Sequence, residues 1–168
     1  SPLQSVNYVS CHDDMCLVDK LRQSRPKGAT EDEIIKFNKL AQTVVYASQG
    51  LPFIYAGEEI YRDKKGVHNT YQSPDSINQI NWDNKTKYID IFNYYQGLIA
   101  LRKAHPAFRM TSQDMVQKNL KFLDMKTPNV VAYTLDNNAN KDSWKQILVI
   151  FNGNRKPVGL EIPEGTWN

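Results

Sequence analysis

The sequence predicts an α/β unit followed by an all-β unit. From residue 6 to residue 103 a strand, a helix, a second strand and a second helix alternate, which is typical of parallel strands joined by right-handed crossovers. After residue 106, short β-branched runs are separated by turn residues, which is typical of antiparallel hairpins. The predicted divisions are 1–106 for the α/β unit, 107–118 for a linker with a short helix, and 119–168 for the β unit.

The first strand and the first helix carry local signals. Residues 6–10 are β-branched and aromatic, so they predict a short strand. Thr30, with Glu33 three residues later, has the pattern of a capping box, and it predicts the start of a helix of about 18 residues. The expected buried face has apolar and small residues at helical spacing, namely Ile34, Phe37, Ala41, Val44 and Ser48, widened by Ile35, Leu40 and Val45.

The second strand and the second helix enclose a long polar stretch. The run "GLPFIYAG" at 50–57 lies between glycines and predicts a buried strand. Residues 60–84 have no helical or strand period, and loops beyond ~15 residues are usually functional or disordered. Their aromatic content favours a functional loop. The second helix, 86–103, is predicted to end at His105 because a residue before proline resists helical geometry, and its inward residues are Ile91, Tyr95, Leu98 and Ile99.

The remaining residues predict a small antiparallel unit. Thr111 and Asp114 belong to a short capped turn, "TSQDM", and strands are predicted at 120–125, 130–135, 147–152 and 158–162. Two βα units cannot close a sheet, and a four-stranded layer leaves an unpaired edge. We therefore expect a fragment: the end of an α/β domain, a linker and most of a small β domain. Turn residues separate the strands at Pro128-Asn129, Asn137-Asn138 and Gly153-Asn154.

Composition excludes several classes of protein. The 168 residues carry 21 Lys and Arg against 18 Asp and Glu, and a net charge of +3 is too slight to predict a nucleic-acid partner. No apolar stretch approaches the ~20 residues that span a bilayer, so membrane insertion is not predicted. The N-terminus has no signal-peptide pattern, and the cellular location stays open. Cys11 and Cys16 could form a disulfide, but free thiols are the favoured interpretation.

Acidic and basic side chains follow both predicted strands. His12, Asp13 and Asp14 follow the first, and Glu58 and Glu59 follow the second. Ligands of parallel α/β proteins bind at the carboxyl ends of the strands, so this is the candidate site. Alternatively, Asp13 or Asp14 caps the turn. For the two glutamates, the favoured interpretation is support of the site through pairing with neighbouring arginines.

A metal site is the other alternative for the His-Asp pair. Metal-dependent phosphohydrolases use such a pair, but they need several further histidines to complete the metal site. This chain has three histidines in all, so no metal site is predicted.

Three segments resemble the α-amylase superfamily, and within it the type I pullulanases. The segment "VNYVSCHDD" is similar to the signature on the seventh barrel strand. The segment "SQGLPFIYAGEEIYRDK" is similar to the eighth strand, and "HNTYQSPDSINQINW" to the loop that follows it in pullulanases. With the β unit read as the C-terminal domain of that family, the resemblance covers essentially the whole chain.

The resemblance implies a fold and a reaction. The fold would be the last two βα units of a (β/α)8 barrel, followed by a truncated C-terminal β-sandwich. The reaction would be retaining hydrolysis of α-1,6-glucosidic links, with Asp13 as the third carboxylate and His12 as its neighbour on the sugar hydroxyls. The nucleophile and the general acid would precede Ser1, so the fragment alone should be inactive. Family members usually have Asn at the position of Asp14.

The resemblance also suggests substrate contacts and partners. Arg62, Asn69 and Tyr71 would line donor-side subsites for an α-glucan oligosaccharide or polysaccharide. Alternatively, Tyr71 and Trp82 only anchor the loop. Trp144 and Trp167 in the β unit could indicate carbohydrate binding, but packing is the favoured interpretation. No cofactor is predicted for this chain, and a calcium requirement of the parent enzyme stays open.

Two further hypotheses remain open. The chain could be a self-contained carbohydrate-binding or interaction module, or it could belong to a related enzyme such as an isoamylase or a neopullulanase. If the chain is a fragment of a (β/α)8 barrel enzyme, the barrel faces of 6–9 and 53–55 would lack the neighbouring strands that cover them. We therefore expect the fragment to self-associate or to rearrange its first ~50 residues. The exact branched glucan and secretion cannot be inferred from these residues.

Overall fold

A computed structural model describes residues 1–167, in which a helical α/β part precedes a β part. The α-helices are α1 (Leu17–Ser24), α2 (Glu31–Ala47), α3 (Asp75–Asn78), α4 (Asn84–Lys87), α5 (Ile89–Ala104) and α6 (Gln113–Asn119). The strands are β1 (Val6–Asn7), β2 (Leu51–Pro52), β3 (Leu120–Phe122), β4 (Val130–Leu135) and β5 (Ile147–Asn152). Short 3-10 helices occupy Pro2–Gln4, Glu58–Ile60, Pro106–Arg109 and Ala139–Lys141.

The two predicted strands of the α/β part pair in parallel, but they are short and exposed. Strand β1 pairs with β2 so that Val6 lies opposite Leu51, and helices α1 and α2 lie between them in sequence. The prediction of a buried strand at 50–57 is wrong, since Leu51 is 46% exposed and Phe53 42% exposed. The physical reason is that each strand has only one neighbour among the described residues, so the outer edges and faces meet solvent.

Helix α2 begins as predicted but buries a different face. The Thr30 side chain accepts a hydrogen bond from the Glu33 backbone N–H, and the Glu33 side chain accepts one from Thr30 N–H, which confirms the capping box. Ile34 is buried as expected, whereas Val44 is 40% exposed. Asn38 and Gln42 are fully buried instead. Apolar periodicity could not show this, because it does not register buried polar residues such as Gln42, which donates a hydrogen bond to the buried Glu58 carboxylate.

Helix α5 largely follows the prediction. It ends at Ala104 before His105, and Ile91, Tyr95 and Leu98 are buried, while Ile99 is exposed. Arg102, which was not predicted to face inward, is buried. Its guanidinium donates hydrogen bonds to three carbonyl oxygens at and beyond the C-terminus of α2, on Tyr46, Ser48 and Gly50.

The β part is a three-stranded antiparallel sheet with the order β3-β4-β5. Strands β4 and β5 have the predicted bounds, and Tyr133 lies opposite Val149 in their register. The predicted strand at 158–162 is wrong, because those residues make no ladder with β5 or with any other strand among residues 1–167. The cap of α6 is Ser112, whose hydroxyl accepts from the Met115 N–H, rather than Thr111.

Two hydrophobic clusters hold the molecule together. One lies among helices α1, α2 and α5 and includes Val18, Ile34, Ile91 and Tyr95. The other joins the two parts and consists of Ala47, Ala107, Phe108, Met110, Tyr133, Leu135, Ala139 and Ile147. The predicted linker 107–118 therefore contributes to a shared core, while the predicted domain divisions stay a prediction. Within residues 1–167, no helix combines the length and the apolar character needed to cross a bilayer.

Candidate functional site

The loop after β1 has buried ends and an exposed tip. Ser10 is buried at one end, and Met15, Cys16 and Leu17 are buried at the other. Between them the side chains of His12 and Asp13 are 80% and 75% exposed, with His12 Nε2 3.6 Å from Asp13 Oδ1. The two residues predicted to carry the chemistry are thus adjacent and open to a ligand.

Asp14 connects this tip to the long loop. Its carboxylate lies 3.0 Å from Nε2 of His68, and its backbone has a left-handed φ of 59°. Cys16 is the N-cap position of α1, without a side-chain cap bond, so neither Asp13 nor Asp14 caps that helix. The pairing of Asp14 with His68 was not predicted, since two residues 54 positions apart have no common sequence signal.

Glu58 is a buried carboxylate behind the tip. Its Oε1 accepts a hydrogen bond from Ser10 Oγ, and its Oε2 accepts one from Gln42 Nε2 at 2.9 Å. Burial raises the pKa of Glu58 to about 7, although these two hydrogen bonds lower it. Glu59 instead accepts from the Gly57 N–H at 3.0 Å. The expectation that both glutamates pair with arginines is wrong: in the described part of the chain the partners are neutral groups.

A second buried carboxylate anchors the long loop to α1. Asp19 Oδ2 accepts from the Lys64 N–H at 2.7 Å, and its Oδ1 accepts from the Gly66 N–H at 2.9 Å. The Lys64 ammonium is also buried and donates to Thr70 Oγ1 at 2.6 Å. Sequence analysis missed Asp19, because an acid in the first turn of a helix normally indicates only a favourable helix dipole.

Arg62 is buried at the base of the same loop. Its guanidinium donates to the carbonyl oxygens of Ala56 and Asn78, and it lies 4.7 Å from the ring centroid of Tyr55. Gly57 is required beside it: its φ is 94°, and a Cβ there would lie 2.7 Å from Arg62 Cδ. These contacts give Arg62 a role in holding the loop, and its predicted role in substrate binding stays a prediction.

The other predicted substrate contacts of the loop, and Trp82, face solvent. Tyr71 is 78% exposed and Trp82 66% exposed, so neither is buried as a loop anchor would be. Asn69 is exposed with a φ of 52°, a conformation that asparagine tolerates better than most residues. Arg62, Trp82 and Tyr88 contribute to an open polar groove along this loop.

The cysteines and the tryptophans of the β part take structural positions. Cys11 and Cys16 are both free, as favoured, and burial raises the pKa of Cys16 to about 11. Trp144 packs against His105, with ring centroids 3.7 Å apart, and the Trp167 indole donates to the Pro163 carbonyl. Across residues 1–167, no group of three or more His, Cys, Asp or Glu is arranged to hold a metal ion.

Comparison with known proteins gives consistent matches. The sequence model of the pullulanase all-beta domain matches residues 116–168. A pullulanase of Bacillus subtilis (strain 168) is 39% identical over 162 residues, which cover 96% of this chain and 22% of that protein. An isoamylase of Flavobacterium sp is 27% identical, over 96% of this chain and 26% of the isoamylase. The chain therefore spans about a quarter of the length of these relatives.

Solved structures match over nearly the whole chain. The pullulanase from Bacillus acidopullulyticus superposes with a TM-score of 0.93 at 45% identity, covering 98% of this chain and 20% of that one. A pullulanase from Paenibacillus barengoltzii, in complex with maltohexaose and alpha-cyclodextrin, gives 0.93 at 42% identity, covering 96% of this chain and 25% of that one. The expectation that the isolated chain self-associates or rearranges its first ~50 residues stays a prediction.

The fold, the strand-end residues and these matches define a class: the chain is homologous to the debranching glycoside hydrolases. Within that class its strong sequence and structural matches are to the type I pullulanases, which confirms the resemblance in its motifs.

Proposed function

We propose that this chain is the part of a retaining glycoside hydrolase that holds the glucose ring during cleavage of α-1,6-glucosidic links. The substrates would be pullulan, glycogen or branched starch dextrins. The observation that carries the proposal is the exposed His12–Asp13 pair at the carboxyl end of a parallel strand, in a chain 39% identical to a pullulanase.

The architecture we propose is the last two βα units of a (β/α)8 barrel followed by part of a C-terminal β-sandwich. The parallel pairing of β1 with β2 across two helices supports the first part. The three-stranded antiparallel sheet and the match to a pullulanase all-beta domain support the second. In a barrel, both strand-end loops would open into one cleft.

The proposed chemistry follows from the charge of the transition state. As the glucose ring flattens toward an oxocarbenium ion, positive charge grows and hydrogen bonds to its hydroxyl groups strengthen. A fixed Asp13 carboxylate and a His12 imidazole would therefore bind the transition state more tightly than the substrate. No cofactor takes part in this proposed step.

The nucleophile and the general acid are proposed to lie outside this chain. Retaining hydrolysis needs two carboxyl groups about 5–5.5 Å apart on opposite sides of the scissile bond. In the strand-end region, Glu58 is buried and cannot reach a sugar, and we assign Asp13 to the sugar hydroxyls. We expect the isolated 168-residue chain to be inactive on pullulan.

The long loop is proposed to supply sugar-binding contacts. The exposed rings of Tyr71 and Trp82 offer apolar faces that can pack on the C–H face of a pyranose, and the Asn69 amide can bond its hydroxyls. Structures of related pullulanases with maltooligosaccharides support an α-glucan as the partner.

Two carboxylate variants of the complete protein that contains this segment test the proposal. Asp13→Asn should lower turnover on pullulan by about 100-fold or more, the scale of losing one transition-state contact. Asp14→Asn is the matched control, since asparagine tolerates the left-handed backbone there, and turnover should stay within a few-fold of the unmodified protein. Near-normal turnover of Asp13→Asn would rule out the assigned role.

Substrate comparison tests the linkage. The unmodified complete protein should release reducing ends from pullulan and not from linear amylose, whose links are all α-1,4. If the isolated chain instead bound maltotriose tightly and the complete protein hydrolysed neither polymer, the carbohydrate-binding module would be the correct interpretation. The exposed aromatic rings of the loop are what favour that second candidate.

A further inference from the structure

The carboxyl ends of β1 and β2 are joined by a buried hydrogen bond between Ser10 and Glu58. Ser10 lies three residues after β1, and Glu58 lies in the 3-10 helix that follows β2. Both residues are fully buried, so the bond is shielded from water. A shielded hydrogen bond to a carboxylate is stronger than one at the surface, which makes this contact a rigid connection between the two strand ends.

Ser10 also closes the loop that carries His12 and Asp13. Its hydroxyl oxygen accepts a hydrogen bond from the Leu17 N–H at 3.2 Å, at the first residue of α1. Cys16, at the N-cap position of that helix, makes no side-chain cap bond. Ser10, six residues earlier in the chain, therefore supplies an acceptor for a free N–H group of the first helical turn. The Ser10 hydroxyl therefore connects the two ends of the loop to each other and to the Glu58 carboxylate.

Glu58 is held in place by neutral groups. Gln42 on α2 donates to the second carboxylate oxygen at 2.9 Å, and the backbone carbonyl of Glu58 accepts from the Tyr61 N–H at 3.0 Å. Because both carboxylate oxygens are occupied and the side chain is buried, Glu58 cannot touch a sugar. The buried position of Glu58 suits a residue that orients Ser10 and not one that binds the substrate.

We propose that Glu58 and Ser10 are positioning residues, which set the His12–Asp13 tip against the reacting sugar in the reaction proposed above. The inference rests on that proposed function. Both ends of the loop that carries this tip are held by the Ser10 hydroxyl. The tip should therefore shift when that hydroxyl, or the Glu58 carboxylate that accepts from it, is removed. Displacement of a transition-state contact by about 1 Å can cost about 100-fold in rate.

Four variants of the complete protein test this inference by steady-state kinetics on pullulan. Ser10→Ala and Glu58→Ala should each lower kcat by about 10- to 100-fold and leave KM within about twofold, because the lost contact acts in the transition state. Glu58→Gln should restore kcat to within about threefold, since the amide oxygen still accepts from Ser10. Gln42 Oε1, which has no partner among the described residues, can turn to accept from the introduced amide group.

Tyr133→Phe is the matched control for stability. It removes one buried hydrogen bond between the β part and the last residue of α2, which contacts neither Ser10 nor Glu58 through a side chain, and it should leave kcat unchanged at temperatures below unfolding. Full kcat in Ser10→Ala would overturn the inference, and so would an equal loss in Tyr133→Phe or the lack of rescue by Glu58→Gln. If Asp13→Asn itself retained turnover, the proposed function would fail. If Asp13→Asn were inactive while Ser10→Ala was fully active, only this inference would fail.

Discussion

The hydroxyl group of Tyr133, in the central strand of the β sheet, donates a hydrogen bond to the backbone carbonyl of Ala47 at 2.5 Å. The two residues are 86 positions apart, and the bond is buried. Ala47 is the last residue of α2, where carbonyl groups have no partner within the helix. The β part therefore completes the C-terminus of the helix whose other residues support the candidate site.

Loss of this bond should be measurable in the chain itself. Tyr133→Phe leaves the Ala47 carbonyl buried without its partner, so we expect the free energy of unfolding to fall by about 1–3 kcal/mol in urea denaturation. Tyr8→Phe is the control, because Tyr8 is an exposed tyrosine, and it should change stability by less than about 0.5 kcal/mol. Equal effects of the two substitutions would contradict the assignment.

Arg102 should contribute more to the free energy of unfolding than the exposed cations near it. Arg102→Met removes three hydrogen bonds to the carbonyl oxygens of Tyr46, Ser48 and Gly50, with lengths of 2.6–2.8 Å. We expect a loss of at least about 3 kcal/mol in the free energy of unfolding, since bonds from charged groups contribute more than neutral ones. Lys103→Met, on the exposed side of the same helix, should be nearly neutral. Stability retained in Arg102→Met would show that these carbonyls find other partners.

Asp142 should make stability depend on acid pH. Burial alone would raise the pKa of Asp142, but hydrogen bonds from His105 and from the backbone N–H groups of Trp144 and Ala107 lower it below the usual 3.8. A lowered pKa in the folded state stabilises the protein above the unfolded pKa, and this contribution is lost as the pH falls through the folded value.

The measurement is urea denaturation of the unmodified chain and of Asp142→Asn at pH 7 and at pH 3. The unmodified chain should be more stable than the variant at pH 7, and the difference should shrink at pH 3. Asp124→Asn, at an exposed carboxylate, serves as the control and should show little difference at either pH. A difference that grew on acidification would mean that the folded state does not lower the pKa of Asp142.

The exposed apolar edge of β1 and β2 should drive self-association of the isolated chain. Tyr8 and Phe53 are exposed and contact each other edge to face, with ring centroids 5.9 Å apart. We expect the chain to sediment as oligomers at micromolar concentration, and Tyr8→Ser with Phe53→Ser to shift it toward monomer. Phe122→Ser, at an exposed ring on the β part, should not have this effect. A monomeric unmodified chain would disprove the prediction.

Local features of this protein were predictable because their cause lies within a few residues. The capping box of Thr30 and Glu33 and the end of α5 before His105-Pro106 depend on neighbouring backbone groups. The turns at Asn129, Asn137 and Asn138 have left-handed φ angles that asparagine tolerates. The candidate residues His12 and Asp13 were also accessible to sequence analysis, because they lie in the loop after a predicted strand and carry a family motif.

Features that join distant segments were predicted poorly. The face of α2 with Asn38 and Gln42 was missed because apolar periodicity does not register buried polar residues. The extra strand at 158–162 was predicted from composition, but a strand forms only where a neighbouring strand pairs with it, and none does among the described residues. The partner of Glu58 was assigned as an arginine, whereas the structure brings Ser10 and Gln42 to it.

By itself, the sequence determined the order of the two strands and the two long helices of the α/β part, the start of α2, the end of α5, the turns and the His12–Asp13 candidate pair, whereas helices α1, α3 and α4 were not predicted. Only the tertiary structure decided that Ser10 and Glu58 connect the two strand ends, that Asp19 holds the long loop, and that Tyr133 and Arg102 complete the end of α2. The physical reason is the distance along the chain over which each interaction acts. Capping and turn preferences act over three or four residues, whereas a buried polar group takes whichever partner the packed chain brings within about 3 Å.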